Sequence, residues 1–212
     1  MIKVIVADDH AVVRTGLQLI FDNDPSLEII DEVGRGNELL NKVREKEYDV
    51  VILDISMPGK DGIDVLKDLK LEKPHLPVVI FSMNPEDKFA VRMFQSGASA
   101  YINKETNPEE LIKAVKHVAK GKNYYTPFQA ELLMNSLNSP QKELPNPHES
   151  LTDREFQVMR MLAQGIKKSD IAETLSVSKN TISNHRNNIL RKMNLSNNTE
   201  LARYAIKHRL IE

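Results

Sequence analysis

Five short apolar runs constrain the fold of this chain more than any other feature. They are IKVIVA (2–7), LEIIDEV (27–33), DVVILDI (49–55), PVVIFS (77–82) and SAYIN (99–103). Several are almost unbroken in β-branched or aliphatic residues. A strand with one wet face alternates apolar and polar side chains, so an unbroken run means cover on both faces, the habit of parallel sheets. The segments between have helical spacing: Val13, Leu17, Ile20 and Phe21; Leu39, Leu40 and Val43; Ile63, Leu66 and Leu69; Val91, Phe94 and Gln95. TNPEELIKAVKHVAKG (106–121) reads as a fifth helix, with Asn107 as N-cap, Pro108 at its start and Gly121 past its end. Repeated strand–helix units imply one α/β doubly wound sheet over residues 1–121.

Beyond it the chain changes character. TPFQAELLMNSL (126–137) can form one more helix with Pro127 at its first position. NSPQKELPNPHES (138–150) is rich in proline and nearly free of apolar residues, so 122–150 reads as an extra helix and a flexible linker. From LTDREFQVMRMLAQG on, residues 151–212 look all-α, with helices near 152–164, 167–175, 178–192 and 197–208. Residues 1–126 hold 17 Lys and Arg against 21 Asp and Glu, whereas residues 149–212 hold 11 against 7. A basic tail suits a polyanionic partner, but the asymmetry alone decides nothing. The absence of cysteine excludes disulfides, thiol nucleophiles and Cys-ligated zinc. MIKVIVADDH breaks into charge too early for a signal peptide, and no run approaches a membrane span, so a cytoplasmic protein with no membrane partner is expected.

In an open α/β sheet, ligands bind outside the carboxyl ends of the strands. Asp8 and Asp9 follow the first strand, Asp54 the third, Ser82 closes the fourth and Lys104 follows the fifth. A lone Asp at a strand end is a common turn residue; this set at the ends of separate strands is a joint signal. Three unpaired carboxylates would raise one another's pKa, and a divalent cation removes that problem. An oxygen-only set with few protein ligands suits Mg²⁺, which keeps several waters. His10 reads as a solvated loop histidine rather than a ligand. Gly34-Arg35-Gly36 is only superficially a dinucleotide loop, because position 39 is Leu.

With Asp8-Asp9, Asp54 followed by Pro58 and Gly62, Ser82, and Lys104 after SAYIN, residues 1–121 resemble the receiver domain of two-component response regulators. The resemblance implies the flavodoxin-like strand order 2-1-3-4-5 and Asp54 as phosphoacceptor. It implies Mg²⁺ on Asp9, Asp54 and the Ser56 backbone carbonyl, with Asp8 binding directly or through water. Lys104 would contact the phosphoryl group and Ser82 would hydrogen-bond to it, while Tyr101 matches the aromatic that rotates inward as Ser82 moves. Met83 stands where receivers often carry a smaller residue.

In IKKSDIAETLSVSKNTISNHRNNILRKMNLS (166–196) a short helix and a turn lead into an amphipathic helix with Ser178 as N-cap. Ile182, His185, Ile189 and Met193 form its core stripe, which makes His185 structural. Lys179, Asn180, Ser183, Asn184, Asn187, Asn188 and Arg191 make a face poor in acid and suited to base edges and phosphates. Residues 151–210 resemble the LuxR/NarL-type helix-turn-helix, through Leu151-Thr152, Arg154-Glu155, Val158, Leu162-Ala163, Gly165, Ile171-Ala172, Leu175, Ser178, Thr181-Ile182, His185, Ile189 and Lys192-Met193. The resemblance places the 178–192 helix in the major groove. Ser183, Asn184 and Asn187 are then expected at base edges, and Lys179, Thr181, Arg186 and Lys192 at phosphates.

The sequence thus predicts a response regulator that takes a phosphoryl group on Asp54 from a sensor histidine kinase and binds promoter DNA, as a homodimer when phosphorylated, with at most slow self-dephosphorylation. The rivals are a phosphorylation-independent DNA-binding regulator and a Mg²⁺-dependent phosphatase. The phosphatase would want Asp-x-Asp on its first strand.

Overall fold

The apolar runs form five parallel strands in a computed structural model of the chain, which describes residues 1–57, 62–84, 86–138, 146–151, 153–175 and 177–211. They are β1 (Ile2–Ala7), β2 (Leu27–Val33), β3 (Val50–Leu53), β4 (Val78–Ser82) and β5 (Ala100–Asn103). Their order is β2-β1-β3-β4-β5, as the resemblance implied. Every residue of β3 and β4 is buried, which is why those strands carry no alternation. The register sets Ala7 beside Leu53 and Ser82 beside Asn103, so the strand ends form one edge.

Helices α1 (Ala11–Asp22), α2 (Gly36–Glu45), α3 (Gly62–Glu72), α4 (Glu86–Gln95) and α5 (Pro108–Val118) alternate with the strands. Leu17 and Phe21 of α1 and Leu111 and Val115 of α5 pack on Val4, Val6 and Ile52 on one sheet face. At the start of α5 the Asn107 side chain accepts from the Glu109 N–H at 3.0 Å, and Gly121 follows the helix at φ 75°. The expected stripe on α4 is displaced. Its buried residues are Phe89, Ala90 and Met93, while Gln95 is exposed. Phe94 is half-buried and meets the Tyr125 ring edge-on, with centroids 4.7 Å apart. An additional helix lies on that side, so periodicity reported two apolar faces as one.

That helix is α6 (Pro127–Asn138), which packs against α4. Thr126 and Gln129 close a reciprocal capping box at its start. The Gln129 N–H donates to Thr126 Oγ1 and the Thr126 N–H to Gln129 Oε1, each at 3.2 Å. The chain divides into two compact units, Met1–Asn138 and Ser139–Glu212, and α6 belongs to the first.

The second unit holds a short 3-10 helix (Pro147–Ser150) and helices α7 (Asp153–Ala163), α8 (Lys168–Thr174), α9 (Lys179–Lys192) and α10 (Asn198–Lys207). Most of the expected linker, residues 139–145, lies outside the described residues, as do Pro58 and Thr152. Its last residues are ordered instead of loose. His148 is buried, and its Nδ1 lies 2.8 Å from the Tyr204 hydroxyl on α10. Val158 of α7, Ile171 of α8, Ile182 and Ile189 of α9 and Leu201 of α10 are buried as the core. Among the described residues no helix is long and apolar enough to cross a membrane.

Candidate functional site

Asp54 follows the last residue of β3, and its N–H donates to the Ala7 carbonyl at 2.8 Å, extending the β1–β3 pairing by one step. The side chain is thereby held rigidly at the sheet edge, and it is 1 % exposed. Gly62 keeps that position open. A Cβ there would lie 2.3 Å from Ile55 Cα and 3.0 Å from the Asp54 carbonyl oxygen. The start of α3 therefore presses against the backbone that carries Asp54.

Asp54, Asp8 and Lys104 converge from three strand ends. Lys104 Nζ lies 2.8 Å from Asp54 Oδ2 and 2.6 Å from Asp8 Oδ2. The contact to Asp8 is an ion pair by distance whose alignment falls short of a hydrogen bond. Asp54 Oδ1 accepts from the Ser56 N–H at 3.0 Å, and Asp8 Oδ1 from the His10 N–H at 2.8 Å. Two buried carboxylates share one ammonium, so the trio carries an excess negative charge. Burial pushes the Asp54 carboxyl above the usual carboxylate range, although Lys104 and the Ser56 N–H pull the other way. Burial works against the charge on Lys104, but the hydrogen bond to Asp54 and the ion pair with Asp8 outweigh it and hold its pKa above the ordinary value.

Ligand atoms of Asp8, Asp9, His10 and Asp54 lie within 4.8 Å of one another. The carboxylates with the excess charge, including a buried Asp8 oxygen lacking an aligned donor, fit a hard divalent cation. His10 has a side chain 63 % exposed, with Nδ1 3.2 Å from Asp8 Oδ1 and 3.1 Å from Asp9 Oδ1. The histidine read as solvated therefore stands beside the acidic cluster, its ring nitrogen bonded to Asp8.

Ser82 is fully buried at the end of β4. Its Oγ accepts from the N–H of Asn84 at 3.2 Å and from Asn84 Nδ2 at 3.1 Å. The Asn84 carbonyl in turn accepts from the Tyr101 hydroxyl at 2.9 Å. Tyr101 is fully buried, so the expected mobile aromatic stands inward here. Met83 beside them is 59 % exposed and does not fill the site. Asn84 is the residue that sequence reasoning underrated. It links the hydroxyl to the aromatic, and no spacing rule announces such a link.

In the second unit, Ser178 Oγ accepts from the Thr181 N–H at 3.0 Å and caps α9 as expected. Lys179, Asn184 and Asn187 are exposed, with Thr181 and Ser183 half-buried at the margin. Arg186 and Lys192 behave differently. Arg186 Nε donates to Asn198 Oδ1 at 2.7 Å, and Lys192 Nζ donates to Glu155 Oε2 at 2.6 Å. Glu155 is 5 % exposed, and a buried carboxylate needs a cation beside it. Both basic residues were expected to face phosphates, and each has a partner within the fold as well.

Residues 4–116 match the model of the response regulator receiver domain, and residues 149–205 match that of bacterial regulatory proteins of the luxR family. Response regulator GacA of Pseudomonas aeruginosa is 33 % identical over 212 residues, covering 100 % of this chain and 99 % of its own. Oxygen regulatory protein NreC of Staphylococcus carnosus is 34 % identical, with 99 % of both chains covered. The structure of RcsB from Salmonella enterica serovar Typhimurium, bound to promoter P1flhDC in the presence of phosphomimetic BeF3−, superposes with a TM-score of 0.70 at 26 % identity, covering 96 % of this chain and 97 % of that one. With the strand order, the edge of carboxylates and lysine, and the capped α9 all in hand, this chain belongs to the two-component response regulators that join a receiver domain to a luxR-family helix-turn-helix domain.

Proposed function

We propose that Asp54 is the phosphoacceptor and that its phosphorylation switches binding of promoter DNA through α9. The observation that carries this reading is the buried Asp54 side chain fixed 2.8 Å from Lys104 Nζ at the carboxyl edge of the sheet. A carboxylate oxygen of Asp54 attacks the phosphorus of a phosphohistidine on a sensor histidine kinase. The acyl phosphate forms as the P–N bond breaks, and the electron pair leaves with the imidazole. Phosphoryl transfer asks the protein for alignment and spread positive charge more than for covalent chemistry. Lys104 offers an ammonium to the phosphoryl oxygens, and Ser82 offers its hydroxyl proton, which its bonds from Asn84 do not use. Asp9, Asp54 and the Ser56 carbonyl, with Asp8 directly or through water, would hold Mg²⁺, which neutralises charge on the transferring group.

The DNA reading rests on the exposed Lys179, Asn184 and Asn187 of α9, with Ser183 and Thr181 at its margin. Arg186 and Lys192 position α9 through Asn198 and Glu155. Residues 1–121 are the receiver domain, 122–150 the connecting segment and 151–212 the DNA-binding domain. One such module is small, so a phosphorylated homodimer reading two half-sites is the working assembly. Promoter DNA as target makes the cytoplasm the place of action. Loss of the phosphoryl group by self-dephosphorylation is slow decay of the chain's own modification.

The deciding experiment treats the chain and its Asp54→Ala variant with a small phosphodonor and Mg²⁺, then measures labelling and operator affinity. Labelling of the wild type alone, with tighter operator binding, is expected. Normal labelling of the alanine variant means another acceptor. Equal operator affinity in both states points to phosphorylation-independent control, and turnover of a phosphomonoester to a phosphatase.

A further inference from the structure

Gln129 has one more set of contacts than a capping residue requires. It is 1 % exposed, and its Nε2 donates both to the Tyr101 carbonyl on β5 at 2.8 Å and to Glu86 Oε2 in the first turn of α4 at 2.6 Å. Its Oε1 meanwhile accepts from the Thr126 N–H at the start of α6. One amide thus ties three elements together. The Tyr101 carbonyl belongs to a strand paired along its length with β4. Glu86 lies two residues past Asn84, at the head of a helix that follows whatever the segment after β4 does.

The connection back to the proposed phosphoryl site is continuous. Ser82 Oγ is held by both donors of Asn84, the Asn84 carbonyl accepts from the Tyr101 hydroxyl, and Tyr101 offers its carbonyl to Gln129. If Ser82 rotates so that its Oγ leaves Asn84 for a phosphoryl oxygen, Asn84 loses its acceptor and is free to shift. The strand arm of Gln129 stays put while the helix arm withdraws. Two hydrogen bonds from one NH₂ group do not both survive a relative movement that takes an acceptor to about 3.6 Å or well out of line.

We infer that Gln129 is the positioning residue that holds α6 against β5 and α4, and that loading of the phosphoryl site releases α6 through it. The inference rests on Asp54 being the phosphoacceptor. It adds what the family resemblance does not supply, namely a specific side chain on α6 that compares the position of a fixed strand with that of a movable helix. Because α6 is the last element before the second unit in the chain, its release is a message that the rest of the protein can read.

The capping and comparing roles separate by substitution. Gln129→Glu keeps an N3 carboxylate able to cap α6, but it sets that carboxylate against Glu86 and a carbonyl oxygen with no donor. Thr126→Ala removes the cap and leaves the two Nε2 bonds. The experiment follows backbone hydrogen exchange in the intact chain with and without beryllofluoride and Mg²⁺, reading residues 127–138 for α6 and residues 50–57 for loading of the site. In the wild type, loading is expected to speed exchange in α6 about tenfold, within the usual span of site-to-site coupling. Gln129→Glu is expected to exchange fast in both states, changing less than about twofold on loading, while residues 50–57 still respond. Thr126→Ala should keep the response from a faster starting level.

A wild type that loads without any change in α6 overturns the inference and leaves Asp54 standing. So does a Gln129→Glu variant that keeps the full response. Failure of residues 50–57 to respond in the wild type removes both the inference and the reading beneath it. Equal loss of response in Thr126→Ala and Gln129→Glu would make Gln129 a capping residue only.

Discussion

Replacing Lys104 by Met removes the one cation shared by two carboxylates. The side chains of Asp8 and Asp54 are 2 % and 1 % exposed, and that of Lys104 is 8 % exposed, so water cannot take over. At the 2.6 Å and 2.8 Å separations seen here, each pair is worth about 6 kcal/mol of gross Coulomb attraction in a medium of effective dielectric about 20. Much of that is cancelled by the desolvation of the ammonium, which the substitution relieves. What remains is the cost of leaving buried charge without a partner, about 3–5 kcal/mol. In the intact chain this is readable as hydrogen exchange of β3, the central strand, which should quicken by about two to three and a half orders of magnitude at about 1.4 kcal/mol per tenfold. The pH dependence has a definite sign. Burial places the folded pKa of Asp54 above its unfolded value, so its contribution to stability is complete below the unfolded pKa and is lost as pH rises through the folded one. Losing Lys104 raises the folded pKa further, and the defect should be greatest at neutral pH and shrink on acidification. Asp54→Asn in the Lys104→Met background, or millimolar Mg²⁺, should recover at least half the loss. A change in β3 exchange of less than tenfold, with no relief from either, would refute the claim that an excess of buried negative charge defines this site.

Gly62→Ala forces a methyl to within 2.3 Å of Ile55 Cα, so the backbone carrying Asp54 must move. We expect a loss of about 1–3 kcal/mol and a drop of over tenfold in labelling by a small phosphodonor, and unchanged labelling would contradict the packing argument. Asp31 is half-buried and held by Lys46, Lys42 and the Tyr48 hydroxyl, which outweigh its burial and lower its pKa to about 2. Its contribution is therefore present above the unfolded pKa and lost as pH falls toward about 2. Asp31→Asn should cost about 1–2 kcal/mol at neutral pH, discounted for the partly exposed lysines, and only a small part of that near pH 2, where the folded carboxyl is half protonated; equal costs at both, by exchange of β2, would refute it. Asn187→Ala should relax base preference at one operator position by about 1–3 kcal/mol, whereas Lys179→Ala should weaken binding to all sequences and flatten the log–log salt slope by about 0.9. A selective effect of Lys179→Ala would reverse the assignment.

What was legible in the sequence is what period and position encode. Unbroken aliphatic runs located the strands, and polar residues at their ends located Asp8, Asp54, Ser82 and Lys104 before any coordinate. The caps of α5 and α9 were equally plain, because Asn107 and Ser178 act on amides two and three residues away. Distant partners were not legible. Nothing in the spacing of α9 says that Lys192 is claimed by a buried Glu155 on α7 or Arg186 by Asn198 on α10. On α4, Phe94 satisfied a periodic pattern because α6 covers that side, and periodicity does not say which partner covers a stripe. The Thr126-x-x-Gln129 signature could have announced the cap of α6, but the amide's other two bonds belong to the tertiary fold.

On the proposed reading of Asp54 as phosphoacceptor, the electrostatics also bear on how a site this rigid would switch. Before any phosphoryl group arrives, Lys104 already serves two carboxylates, and its ammonium has few directions left. Phosphorylation adds about −1.5 to −2 charges to a buried cluster that starts with a negative excess. The ammonium and any bound cation would then be shared among more oxygens, and every further donor within reach would become valuable. Ser82 is such a donor, but its oxygen stands under two hydrogen bonds from Asn84, whose carbonyl holds Tyr101. If recruiting it requires the side chain to rotate, both of those bonds break and the event is not local. The strands are pinned by their buried runs, so the rearrangement is directed into the segment after β4 and the head of α4. A flexible site would absorb such a charge by relaxing around it; on the proposed reading, this one would pass it on.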